Sequence, residues 1–438
     1  MNTKTKAYVE SLSRMINIPT VSNGKDYDKK AFEEFHSLLK ELFPNIFKQF
    51  KYEEFDGSIL LSYIVNNELE PILLMSHHDV VSCEDNWEHE PFNATVDNGK
   101  LYGRGTLDTK GNLWAILTSI EELLADGYKF NRSIYIESAC NEETSGDGAH
   151  AISNELKKRN VHFLFTLDEG GMIVEEPIDG AKGKFAMIAL GEKDYVDLKF
   201  IATSKGGHSS TPDNNNPLIR LSKFVCYIEK HNFFKPKLGE TTIKTFEQVS
   251  LKMKGLQGFM FKHSKMFRHL LAKIMTKISP VANSMVRSTI CFCMAKGSEG
   301  YNIIPEEAYV TGNLRIAHHD DKDAIIEKIR HISSKFGITV EVIDHGYHST
   351  ITNYKNKEYA FLEEVINSNF KDVICAPYIS TGASDSKYFC DLSKNNFRFA
   401  PITATNEQLD TMHAKDENVD VDALEPAVNF YKDLLKRL

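Results

Sequence analysis

Apolar positions in the first part of the chain follow two periods. The run PILLMS (71–76) is short and continuously apolar, as a strand buried on both faces requires. In NLWAILTSIEELLADG (112–127), Leu113, Ile116, Leu117, Ile120, Leu123 and Leu124 recur at helical spacing, and Gly127 stops the pattern. RSIYIESAC then reads as a strand, AHAISNELKKRN as a helix and VHFLFTL as another strand. Alternation of this kind predicts an α/β domain with a mostly parallel sheet.

Past about residue 190 the pattern changes. YVDLKFIAT predicts a partly alternating strand and PLIRLSKFVCYIEKH an amphipathic helix. Strands near 288–294 and 307–316, a helix near 321–335 and the strand ITVEVI complete the order βαββαβ, a ferredoxin-like unit. Residues 235–287 interrupt it, and FMFKHSKMFRHLLAKIMTKI within them reads as a basic amphipathic helix. Packing against the small domain is its plainest use, an oligomer contact the next and a membrane surface the last. From about 346 the α/β pattern returns. The expected fold is α/β, with a large mixed-sheet domain made from 1–190 and 346–438. An α+β ferredoxin-like domain, 191–345, is inserted into it.

With 438 residues the chain can bury a large core, and 42% hydrophobic with 26% charged residues is ordinary for a globular protein. A formal net charge of −9 argues against a nucleic-acid partner, which would select a basic face. The opening MNTKTKAYVESLSRMINIPTVS has no continuous apolar run, so neither a signal peptide nor a membrane span is expected there. The seven scattered cysteines include no C-x-x-C pair. That argues against a disulfide framework or thiolate zinc site and favours a reducing cytoplasm.

Candidate chemistry gathers just after the strands of the large domain, where open α/β sheets place their sites. GRGTLDTKGN (103–112) lacks the G-x-x-x-x-G-K-[ST] spacing of a phosphate loop, because Lys110 precedes Gly111. Its glycines instead serve to present Asp108. After PILLMS comes HHD, and strand alternation puts His77 and Asp79 on one side of the chain. NEETSGDG brings the adjacent Glu142 and Glu143, LDEGG brings Asp168 and Glu169, and HAKDE brings His413. Taken singly, a histidine pair is commonly structural, adjacent glutamates a solvated face, and DEG a turn. Delivered together from successive strand ends, they make a nitrogen and oxygen ligand set suited to Zn²⁺, Mn²⁺ or Co²⁺. Two metals held by so few residues need one shared carboxylate, and Asp108 suits that role.

In order, and over nearly the whole chain, these segments resemble a di-zinc metallopeptidase family. It includes aminoacylases, acetylornithine deacetylase, succinyl-diaminopimelate desuccinylase, glutamate carboxypeptidase and carboxypeptidase S. In SHHDVV the resemblance implies His77 as a ligand with Asp79 behind it, and in GRGTLDTKG it implies Asp108 as the bridge. It further implies Glu142 as general base, Glu143 as ligand, Asp168 as ligand with Glu169 the alternative, and His413 as the last ligand. One metal would take His77, Asp108 and Asp168, and the other Asp108, Glu143 and His413. In the inserted domain KGGHSSTP resembles the lid segment, implying a catalytic role for His208 at a substrate oxygen. YNIIPEEAYVTGNLRI implies Asn302 and Arg315 at the substrate carboxylate, and GASDS (382–386) implies a substrate loop with Gly382 and Ser384. The basic insert is most similar to the carboxypeptidase S branch. Ser82 stands where the family commonly has proline and Asn141 where it usually has aspartate; neither change removes a ligand.

The resemblance implies hydrolysis of an amide next to a free carboxylate, in an N-acyl amino acid or a dipeptide. Two divalent ions, Zn²⁺ before Co²⁺ or Mn²⁺, would activate the water, with Glu142 carrying its proton. Ureido or carbamoyl hydrolysis, a non-catalytic scaffold, and a thiol hydrolase using Cys83 or Cys140 are the rival expectations. No nucleic-acid or membrane partner is expected, and a homodimer through the lid is allowed for.

Overall fold

A computed structural model describes residues 1–23, 27–66, 68–231, 233–347 and 349–438. They form two compact units. Unit 1 comprises Met1–Glu192, Lys244–Lys262 and Thr350–Leu438, and unit 2 comprises Lys193–Ile243 and His263–Ser349.

Unit 1 is built on a ten-stranded mixed sheet. The strand Ile72–Met75 is buried throughout and pairs in parallel with Ile134–Ser138 on one side and Phe165–Asp168 on the other. Burial on both faces is what a run without polar alternation demands. Beyond Ile134–Ser138 the hairpin strands Ser58–Tyr63 and Lys51–Phe55 add antiparallel. Beyond Phe165–Asp168 comes the three-residue strand Asn396–Arg398, which in turn meets Lys184–Glu192. Helix Lys110–Ala125 packs on helices Thr3–Ile16 and Leu424–Arg437, with Tyr8 edge-on to the buried Trp114 at 5.2 Å.

Helix Gly148–Lys158 ends at Arg159, whose two terminal nitrogens each donate to the Glu53 carboxylate at 2.8 Å. These bonds to Arg159 pull the Glu53 carboxyl down to about 2 from an ordinary 4.5. A depressed folded pKa gives stabilisation that is complete above the unfolded value and fades as pH falls through about 2. Glu53→Gln is therefore expected to lower the urea midpoint near neutrality, with the gap to wild type closing in strong acid. A gap unchanged at low pH would contradict the pairing.

Unit 2 carries a four-stranded antiparallel sheet in the order Thr289–Lys296, Glu307–Ile316, Asp194–Thr203, Ile338–Asp344. With helices Pro217–Lys230 and Lys322–Ser334 it has the expected βαββαβ order, closed over Phe200, Phe224, Leu314 and Ile329. A separate two-residue ladder pairs Gly207–His208 with Ile303–Ile304.

The insert differs from its sequence pattern. The single basic helix is two, Gly255–Lys262 and Ser264–Ile278, separated at His263. Lys244–Lys262 belongs to unit 1, whereas Ser264–Ile278 belongs to unit 2. The contacts are with a distant strand: Thr245 Oγ1 donates to the Pro377 carbonyl and Gln248 Nε2 to the Cys375 carbonyl at 3.1 Å, both on the strand Val373–Ser380. Among the described residues, no helix is long and apolar enough to cross a membrane.

Candidate metal centre

Ile134–Ser138, Ile72–Met75 and Phe165–Asp168 lie side by side in the sheet and run parallel. Each delivers polar residues from its carboxyl end. Past Met75 the chain gives Ser76, His77, His78 and Asp79, all buried, and the two imidazoles part company. His78 is structural: it stacks on Phe35 at 5.3 Å, with Nδ1 2.9 Å from Ser138 Oγ. His77 faces the site, with Nε2 3.1 Å from Asp108 Oδ1 and Nδ1 3.0 Å from the Asp79 carbonyl oxygen. Asp79 also accepts the backbone N–H groups of Glu142 and Glu143, each at 3.1 Å, one on each carboxylate oxygen. Its Oδ1 also lies 3.3 Å from His77 Nδ1, so one buried carboxylate orients both the imidazole and the turn that carries the two glutamates. Asn141, in place of the family's usual aspartate, still accepts the Gly148 N–H at 3.1 Å and closes that loop.

Asp108 ends the loop between the strand Lys100–Tyr102 and helix Lys110–Ala125, and its bond to Thr109 is cis. Gly103 and Gly105 have φ of +156° and +93°, conformations that suit glycine. The Lys110 ammonium is used inside the fold, donating to the Met15 and Ile18 carbonyls at 3.2 and 2.6 Å. Asp108 Oδ2 lies 3.0 Å from His413 Nε2, and that nitrogen lies 3.1 Å from Glu143 Oε2. Asp108 therefore turns one oxygen to His77 and the other to His413, the geometry of a bridging carboxylate. Asp168 sits at its strand end, with Oδ1 accepting the Glu169 N–H and Oδ2 the Ser386 N–H, each at 2.9 Å.

The electrostatics follow from burial. It pushes the Glu142 and Glu169 carboxyls well above the usual range and raises Glu143 and Asp168 as well. Burial would raise Asp108 too, but hydrogen bonds from His413 and His77 prevail and hold it low. His413 is held up at about 10 by its bonds to Asp108 and Glu143. For His77, burial favours the neutral ring, yet the Asp108 and Asp79 carboxylates keep its pKa well above the ordinary value.

The donor set fits divalent ions. One ligand atom from each of His77, Asp108 and Glu143 lies within 4.8 Å of the others. Glu143 Oε1 is buried without a hydrogen-bond partner among the described residues. A buried surplus of carboxylates beside imidazole nitrogens is short of positive charge, and a divalent cation supplies it.

The other predicted residues fall in two places. Ser384 is buried in unit 1, its hydroxyl donating to Glu192 Oε1 at 2.8 Å, and Gly382 lies on the same segment. His208, Asn302 and Arg315 belong to unit 2. There the short ladder brings His208 and Asn302 together, with Ser209 N–H donating to the Asn302 carbonyl at 2.9 Å. Arg315 Nε donates to Asn313 Oδ1 at 2.9 Å, and its guanidinium lies 5.2 Å from the Tyr195 ring centre. Sequence reasoning missed Asp385, which is buried and raised to about 7 by that burial. It also missed Arg104 and Glu417, although both stand inside segments singled out for other residues.

Comparison with known proteins gives the family and the fold. The family model described as peptidase family M20/M25/M40 matches residues 73–437. The probable carboxypeptidase S-like 2 of Dictyostelium discoideum is 30% identical over 98% of this chain and 84% of its own length. The N-fatty-acyl-amino acid synthase/hydrolase PM20D1 of Homo sapiens is 30% identical over 98% of this chain and 87% of its own length. Among solved structures, the M20 family metallo-carboxypeptidase Sso-CP2 of Sulfolobus solfataricus matches with a TM-score of 0.70. It covers 100% of this chain and 99% of its own at 18% identity, so what the two share is the fold.

Proposed function

The chain belongs to peptidase family M20/M25/M40 and is a metal-dependent amide hydrolase, and from that premise we propose that it cleaves an amide next to a free carboxylate. N-acyl amino acids and dipeptides are the substrate classes, supported by the carboxypeptidase and acyl-amino acid hydrolase names of its relatives. The observation that carries the proposal is Asp108 reaching His77 with one carboxylate oxygen and His413 with the other.

His77, Asp108 and Asp168 would hold one divalent ion, with Glu169 the alternative to Asp168, and Asp108, Glu143 and His413 the other. Zn²⁺ is proposed before Co²⁺ or Mn²⁺. When bound, the pair supplies Lewis-acid polarisation and a water of lowered pKa. Glu142 takes the proton of the attacking water and returns it to the leaving amine, a role its raised pKa serves. Asp79 keeps the His77 ring and the Glu142 turn in register. Unit 2 acts as the lid: His208 donates to the developing oxyanion, and Arg315, with Asn302, holds the substrate carboxylate. A buried Arg315 Nη1 without a partner among the described residues supports that assignment. A homodimer through unit 2 belongs to the same proposal, supported by its exposed edge strand Thr289–Lys296. So does a cytoplasmic location, supported by seven cysteines that form no disulfide among the described residues.

The test is a hydrolysis screen of N-acyl amino acids and dipeptides with Zn²⁺, Mn²⁺ or Co²⁺, alongside their carboxyl-amidated forms and carbamoyl amino acids. Turnover should require the free carboxylate, stop on chelation and return with metal. A preference for carbamoyl amino acids, or activity that survives chelation, would overturn the reading. His208→Ala is expected to depress kcat more than it raises KM, because an oxyanion contact acts in the transition state. Arg315→Ala should chiefly raise KM, since the carboxylate is already present in the ground state.

A further inference from the structure

Asp108 and His413 are about 300 residues apart, yet they share one metal position in the proposed centre. What holds them together lies behind them. The strand Lys100–Tyr102, just before the Asp108 loop, pairs antiparallel with Asn418–Asp420, just after the His413 segment. Gly103 N–H donates to the Glu417 carbonyl at 2.9 Å and continues that ladder by one bond. The Glu417 side chain then turns under the loop, fully buried. Its Oε1 accepts the N–H groups of Leu107 and Asp108 at 2.7 and 3.0 Å. Its Oε2 accepts the Gly105 N–H at 2.9 Å and Arg104 Nη1 at 2.8 Å. Arg104 Nη2 reaches back to the carbonyl of Ala414, the neighbour of His413, at 2.8 Å.

Both carboxylate oxygens are thus used twice, and three of the four donors belong to the backbone of the loop that ends in Asp108. The guanidinium ties the same carboxylate to the turn that carries His413, a residue itself at φ +58° with a half-exposed ring. We propose that Glu417 and Arg104 form a positioning pair, clamping the Asp108 loop to the His413 turn and so setting the affinity of the metal position those residues share. The inference rests on the two-metal reading above. Neither residue touches the reacting atoms.

The test uses the purified full chain and measures Zn²⁺ stoichiometry and affinity by competition with a chromogenic chelator, together with the metal-free melting temperature. Glu417→Gln offers an N–H₂ group where the loop amides need an acceptor. It is expected to weaken one of the two Zn²⁺ positions by about 10–100-fold. The concentration of Zn²⁺ needed for half-maximal activity should rise in parallel, with kcat recovering at excess metal. Arg104→Lys keeps the charge and loses the fork that spans Glu417 and Ala414; it should weaken the same position by a smaller factor, and it carries the test should Glu417→Gln not fold. Folded variants with wild-type Zn²⁺ affinity, even with a lowered melting temperature, would make the pair merely structural and overturn the proposal. A wild-type chain that binds no Zn²⁺, Co²⁺ or Mn²⁺ would instead overturn the underlying two-metal reading.

Discussion

Glu142→Gln is expected to retain its metal while kcat falls by about 10²-fold or more. Glu142 and Glu143 share a turn whose two N–H groups bond to Asp79, so the backbone does not distinguish them. Their side chains do. Glu143 places Oε2 against His413, whose ring also meets Asp108, and it is the glutamate whose ligand atom clusters with His77 and Asp108. Burial raises the Glu142 carboxyl well above its ordinary pKa, as befits a group that must give a proton back. The amide introduced by the substitution is nearly the same size as the carboxyl and cannot take a proton, so chemistry is lost and binding spared. Glu143→Gln should instead lose metal from one position. Metal analysis beside kcat separates the two, and equal metal loss in both variants would refute the assignment.

Asp108→Asn should cost more still. A neutral amide offers one acceptor oxygen, so it serves at most one ion and turns an N–H₂ group to the other. Both positions are expected to lose occupancy, and with it several kcal/mol of transition-state stabilisation, on the order of 10³-fold or more in kcat/KM. The backbone N–H of residue 108 keeps its bond to Glu417, so the metal-free fold should survive. Two full equivalents of bound metal in Asp108→Asn would show that Asp108 is not shared.

The candidate ligand positions were legible because each is a local event. A strand ends, its last residues alternate, and a polar side chain follows: His77 and Asp79 after Ile72–Met75, and Asp168 at the end of Phe165–Asp168. The glycines around Asp108 likewise announce a turn without reference to anything distant. Arg104 and Glu417 were on view in the same segments but carried no local sign of their use, because each finds its partner more than 300 residues away. The division of the insert was hidden for a similar reason. Thr245 and Gln248 bond to carbonyls of Val373–Ser380, and no periodicity within 235–287 encodes that. At three residues, Asn396–Arg398 is too short to show a period at all, although it holds a central place in the sheet.

That short strand also sets an order of events during synthesis. Asn396–Arg398 lies between Phe165–Asp168 and Lys184–Glu192 and hydrogen-bonds to both. Until it leaves the ribosome, the growing sheet is two fragments with bare edges facing a vacant slot, and bare edges recruit other chains. A nascent chain that has just passed Lys184–Glu192 therefore has most strands of this sheet but not a closed sheet, and nearly half the protein must still be translated before the gap can be filled. His413 emerges a few residues later still. Ribosome stalling before residue 396 is the point at which this chain most needs a chaperone.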